Sequence, residues 1–216
     1  MNVAMLLRKS WRLYRTGGFS AVCKRVPELF RVTPDSSFDA QRGTDVAGTV
    51  PAWMLGPVIG DNLPHAEKYQ PTTEEDFQVI LDFLKINPQE WNWVDLGCGK
   101  GATLIMATEV GFQSVTGVEF SQKLARIAAR QCPHARVVNA DAAEFVLPWR
   151  DTVLFLFNPF DGYVLRRVID KLRGFSNRLM VVYLNPRHGQ VIDEYDFLHH
   201  VGKCRATYDV RVWKNW

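Results

Sequence analysis

The sequence has little of what several specialised protein classes require. Its four cysteines, Cys23, Cys98, Cys132 and Cys204, are widely spaced and form no C-x-x-C pair. That excludes a disulfide framework and a cysteine-based zinc site, and reads as reduced thiols in a cytoplasmic protein. Five histidines include His199-His200 but no H-x-x-x-H or H-E-x-x-H spacing, so no metal is expected. No apolar run approaches the roughly 18–20 residues that a membrane-crossing helix needs. The apolar residues 1–7 precede Arg8 and Lys9, the reverse of the order in a secretory signal. Internal repeats and low-complexity segments are also lacking. Net charge is only +3, yet residues 1–31 hold seven basic residues and one acid, a local +6 that leaves −3 for the rest.

What is present suits one globular domain with an added segment. Hydrophobic residues make up 47% of the 216 and charged residues 23%, enough for a substantial core. Residues 1–31 have helical character in two pieces, broken at Gly17-Gly18. Their charge would suit nucleic acid or an anionic membrane surface, but a solvated helical cap is the preferred reading. Residues 32–72 carry five prolines and four glycines with no sustained periodicity, as a lid or binding loop would. Residues 1–71 are therefore assigned to a basic helical extension and a lid-like segment, and 72–216 to the main domain.

From Thr72 the pattern turns regular. Thr72 and Thr73 followed by three acids start a helix, and Phe77, Ile80, Leu81 and Leu84 form its apolar stripe. Strands are expected at 93–96, 114–119, 135–140, 152–157 and 178–184. Helices capped by Ser121 and Asp161 fall between them, the second stopped by Gly174. Alternating strands and helices call for a doubly wound, mostly parallel α/β sheet. The continuously apolar runs 153–157 and 179–184 suit strands buried on both faces. Tyr208, Val210 and Val212 alternate with Asp209 and Arg211, as in an antiparallel C-terminal hairpin.

Four motifs sit at expected strand ends. Asp95, Gly97, Cys98, Gly99 and Gly101 form a strand–turn–helix junction of pattern D-x-G-x-G-x-G, whose glycines permit close backbone approach to a ligand. Glu119-Phe120 closes the second strand, where a carboxylate can accept hydrogen bonds from two vicinal ribose hydroxyls. Asp141-Ala142 closes the third, where Asp141 can also cap a helix. Asn158-Pro159-Phe160 closes the fourth, facing the crevice in which such sheets bind ligands.

Together these motifs resemble class I S-adenosylmethionine (SAM) methyltransferases over residues 60–216. The resemblance implies a glycine loop around the methionine end of SAM, Glu119 on its ribose, and Phe120 on the adenine face. It places the exocyclic amine of adenine at Asp141 and the ring beside the Ala142 backbone. Asn158-Pro159-Phe160 resembles a shortened N/D-P-P-Y/F motif, in which the Asn side chain and neighbouring carbonyls hold a planar amine and the aromatic ring stacks on it. Residues 69–72 are similar to a Y-x-P-T segment of bacterial methyltransferases, which would bring Tyr69 and Thr72 over the methionine end. The implied activity is methyl transfer to an unidentified acceptor, a small molecule or a protein, with an amine as one candidate. A nicotinamide oxidoreductase would need G-x-G-x-x-G spacing and no Asp141. A cofactor-binding module without catalysis shares all the cofactor motifs, and only activity separates it.

Overall fold

The computed structural model describes residues 36–216. The basic stretch 1–31, its Gly17-Gly18 break and Cys23 lie outside the described residues. The first helix, α1 (Ser36–Arg42), falls inside the segment expected to be irregular. It is held by single anchors rather than by a stripe: Phe38 is buried, and Arg42 reaches Glu74 at 2.6 Å and Glu109 at 2.8 Å. Asp39 then accepts from Thr44 and from the amides of Val46 and Ala47, turning the chain out of the helix. Anchors of this kind leave no periodic trace in a sequence.

The regular part begins with α2 (Glu74–Leu84), whose N-cap Thr73 accepts from the Asp76 amide. The order continues β1 (Asn92–Leu96), α3 (Ala102–Val110), β2 (Ser114–Glu119), α4 (Gln122–Gln131) and β3 (Arg136–Asn139). Then come β4 (Thr152–Phe157), α5 (Gly162–Asp170), β5 (Leu179–Leu184), α6 (Gln190–Asp193), β6 (His199–Arg205) and β7 (Asp209–Lys214). Ser121 and Asp161 cap α4 and α5 as expected. The expected strand 135–140 is shorter, because only Arg136–Asn139 pair with β2, on one side, at the sheet edge.

Seven strands form one sheet in the order β3-β2-β1-β4-β5-β7-β6. The first five are parallel, and β7 pairs antiparallel with both β5 and β6. Successive strand residues serve opposite faces. Trp93, Val153 and Phe155 pack with Phe77, Ile80 and Leu104 of α2 and α3, whereas Val94, Leu154 and Leu156 pack with Leu165 and Ile169 of α5. The wholly buried Trp93 ring lies 5.1–5.2 Å from the rings of Phe77, Phe112 and Phe155. Strand order reverses between β1 and β4, and a ligand crevice in such a sheet opens beyond the carboxyl ends at that point.

Residues 43–71 fold back over that opening. Val50 and Tyr69 exchange backbone hydrogen bonds at 3.0 and 2.9 Å, closing the segment on itself. Isolated bridges then tie Val58 to Ser121 and Ala66 to Phe160. No helix among the described residues is long and apolar enough to cross a membrane.

Candidate active site

The glycine turn after β1 is fixed by β2. The amides of Gly97 and Cys98 both donate to the Val118 carbonyl, at 2.8 and 3.1 Å. The Gly99 amide donates to Glu119 Oε2 at 2.9 Å, while Oε1 accepts from the Ser121 amide at 2.8 Å. Glu119 therefore joins the turn to the start of α4. Gly99 has φ +56°, and a Cβ there would lie 2.0 Å from the Tyr69 ring, so only glycine fits. Tyr69 itself is anchored by its hydroxyl, which donates to the Val46 carbonyl at 2.6 Å.

Two buried carboxylates face this turn. Asp95 accepts from the Thr103 hydroxyl, and burial lifts its pKa to about 7, with the Glu119 charge adding to the rise. Burial likewise lifts Glu119 to about 7, against the opposing pull of its backbone amide donors. The buried thiols of Cys98 and Cys132 are pushed up by desolvation, Cys132 to about 12, so neither is poised as a thiolate. Cys98, Cys132 and Cys204 are free thiols, and no His/Cys/Asp/Glu cluster with metal-binding geometry occurs among the described residues.

One crevice collects residues from four strand ends. Gly97, Glu119, Phe120, Asp141, Ala142 and Phe160 all border it, with Tyr69 and Pro159 closing its inner side. A second, smaller lobe reaches Thr72, Asp95, Cys98 and Thr103, sharing Tyr69, Gln70, Gly97 and Phe157 with the first. Gly101 lines neither lobe; at φ +95° it precedes α3, its Cα against Cys132. The arrangement is an elongated slot with carboxylates at intervals and apolar walls.

Sequence reasoning missed Asn62. It is buried in the segment over the crevice, and its Nδ2 donates to Asp141 Oδ2 at 2.6 Å. Asp141 Oδ1 accepts from the Ala143 amide at 2.9 Å, so capping and crevice lining coexist in one residue. Nothing in the pattern around Asn62 signals this, because its partner is 79 residues away.

The loop after β4 is placed differently from a simple crevice wall. Pro159 and Phe160 line the crevice, but Asn158 lines neither lobe. Its backbone takes the left-handed φ of +42°, and its buried side chain turns toward β5, where Oδ1 accepts from the Tyr183 hydroxyl at 3.1 Å. The Pro159 carbonyl accepts from the Glu67 amide at 3.1 Å, and the His65 carbonyl from the Asp161 amide at 3.1 Å. His65 Nδ1 lies 2.7 Å from Asp161, which it helps hold below the ordinary carboxylate range despite partial burial.

Residues 94–173 match the model of a methyltransferase domain family. Over that stretch, from β1 to just past α5, the chain is similar to methyltransferase domains. Its fold is shared with solved structures of low sequence identity. The PH0226 protein of Pyrococcus horikoshii is 15% identical, with a TM-score of 0.53 over 66% of this chain and 89% of that one. The ribosomal protein L11 methylase of Lactobacillus delbrueckii is 15% identical, with a TM-score of 0.50 over 66% of this chain and 78% of that one. The 1320 protein of Thermoplasma acidophilum is 16% identical, with a TM-score of 0.50 over 65% and 86%. No curated protein matches this chain by sequence.

Proposed function

We propose that this protein is a methyltransferase that takes its methyl group from SAM and passes it to a small molecule or protein. The observation that carries this reading is the pair of carboxylates, Glu119 and Asp141, on one crevice beside Gly97. Their chemistry fits the adenosine part of SAM. Glu119 keeps unused lone pairs for two ribose hydroxyls, and Asp141, aimed by Asn62, accepts from the exocyclic amine of adenine. Phe120 and Ala142 cover the ring. The second lobe, with Thr72, Asp95 and the start of α3, takes the methionine end, whose carboxylate is favoured by helix N-terminal amides.

When bound, SAM supplies a methyl carbon already activated by its sulfonium. The protein's task is then to position the acceptor and exclude water. Tyr69, Pro159 and Phe160 shape the inner wall, and residues 43–71 cover the crevice from solvent. Incubating the protein with cell extract and isotopically methyl-labelled SAM, then finding labelled products by mass spectrometry, tests the reading. Labelled product that depends on intact Glu119 is expected. Binding of SAM with no transfer to any extract component would leave a cofactor-binding module instead.

A further inference from the structure

Residues 120–140 contain Lys123, Arg126, Arg130 and Arg136 and not one acid. The other described residues hold 15 Lys and Arg against 21 Asp and Glu, so this run is a basic island on an acidic domain. All four cations are exposed, and none has an ion pair or side-chain hydrogen bond among the described residues. Other surface guanidinium groups are tied to carboxylates, as Arg166, Arg167 and Arg178 are at 2.6–2.7 Å.

The fold brings the four cations onto one face. Lys123, Arg126 and Arg130 follow one another at three and four residues, in a row of roughly 10 Å along α4. Arg136 opens β3, which packs beside α4 and forms the edge of the sheet. Between helix and strand runs an open groove walled by Gln122, Ala125, Arg126, Ala129, Val137 and Asn139. The Ala140 amide donates to the Glu119 carbonyl of β2, so strand alternation turns the N–H and C=O of Val137 and Asn139 outward. Those groups meet no partner among the described residues. Cations that merely guard a sheet edge stand on the edge strand itself, whereas three of these four stand on the neighbouring helix.

We infer that this face binds an acidic, extended segment of a protein partner, which adds to β3 as a further strand. Main-chain hydrogen bonds to Val137 and Asn139 set its register, and the four cations select its acids. A nucleic acid fits less well. A duplex carries a charge every ~1.7 Å, so one lying along α4 would run past the four cations onto the acidic remainder. Residues 120–140 present no large exposed aromatic or aliphatic side chain, either for bases to stack on or for entry into a membrane. Residues 1–31 of the chain itself are basic and have the wrong sign. The groove adjoins the crevice, since Phe120, Leu124 and Ala140 line the one and Gln122, Ala125 and Asn139 the other. A partner held here lies beside the crevice, and the inference stands whether or not SAM is the methyl donor.

The test is solution NMR of the full-length ¹⁵N-labelled protein, assigned by triple resonance. The probe is a peptide of about ten residues that alternates glutamate and threonine. One control replaces each glutamate with lysine, and the other is N-methylated throughout, keeping the charge without any main-chain N–H. Saturable shifts of the Val137 and Asn139 amides are expected with the glutamate peptide, and none with the lysine peptide. N-methylation should weaken binding roughly tenfold, the scale of two lost hydrogen bonds. Arg126→Glu/Arg130→Glu, at two exposed positions, should weaken it by roughly as much, with the melting temperature unchanged. Equal affinity of the N-methylated peptide, or no shift at either amide, overturns the inference. Tighter binding of a short DNA duplex that displaces the peptide overturns it in favour of a nucleic-acid surface. Self-association of the protein that the double variant abolishes overturns it in favour of a second copy.

Discussion

Glu119→Gln keeps the shape of the side chain and removes its charge. The native carboxylate receives the Gly99 and Ser121 amides at 2.9 and 2.8 Å. A glutamine can accept only one through its oxygen, and its NH2 group then faces the other N–H. One stranded buried donor costs roughly 1–3 kcal/mol. Charge acts in the opposite direction, and the sign follows from linkage. Burial raises Glu119 from 4.5 to about 7, so between those values the folded protein holds a proton that the unfolded chain has released. Native stability therefore falls as pH rises through that window, by roughly 3 kcal/mol if the whole shift counts. The glutamine variant lacks this share of the slope, whereas Asp95, raised to about 7 mainly by burial, keeps most of its own once the Glu119 charge is gone. The variant should be clearly less stable than the native protein at pH 5 and close to it, or above it, at pH 8. Guanidinium unfolding at the two pH values measures this directly. In parallel, affinity for S-adenosylhomocysteine should fall roughly 10- to 100-fold, the scale of weakening hydrogen bonds to a charged acceptor. Equal pH slopes in the two proteins, or undiminished affinity in a folded variant, would refute the reasoning.

Asn62→Ala removes the donor that aims Asp141, and should weaken S-adenosylhomocysteine binding by roughly 5- to 10-fold on the scale of one lost hydrogen bond, read by calorimetry. Gly99→Ala forces a side chain into the left-handed region against the Tyr69 ring, and should lose roughly 2–4 kcal/mol in chemical denaturation. Part of that loss should return in the Gly99→Ala/Tyr69→Ala double variant. Asn158→Ala removes the acceptor of the Tyr183 hydroxyl and should lose roughly 1–3 kcal/mol in chemical denaturation while leaving cofactor affinity nearly unchanged.

The parallel sheet was legible because its signals are local. The limits of β2 and β4 were read to the residue from apolar runs, and the Ser121 and Asp161 caps from side chains placed before apolar stripes. Gly97, Glu119 and Asp141 were found for the same reason, since each follows or ends a recognisable strand. Residues 36–71 were not legible in this way. Phe38, Arg42 and Asn62 each meet partners far along the chain, so helix α1 and the Asn62–Asp141 bond leave no spacing to read. The direction of Asn158 was hidden too. Its proline neighbour indicates a stiff turn, but only the fold brings Tyr183 of β5 within 3.1 Å of its oxygen.

The most direct measurement is calorimetric titration of the purified protein with SAM, S-adenosylhomocysteine and NAD. The crevice with Glu119, Asp141 and the glycine turn should bind both sulfur nucleosides at one site in the micromolar range, and NAD not at all. NAD bound more tightly than either sulfur nucleoside would contradict it.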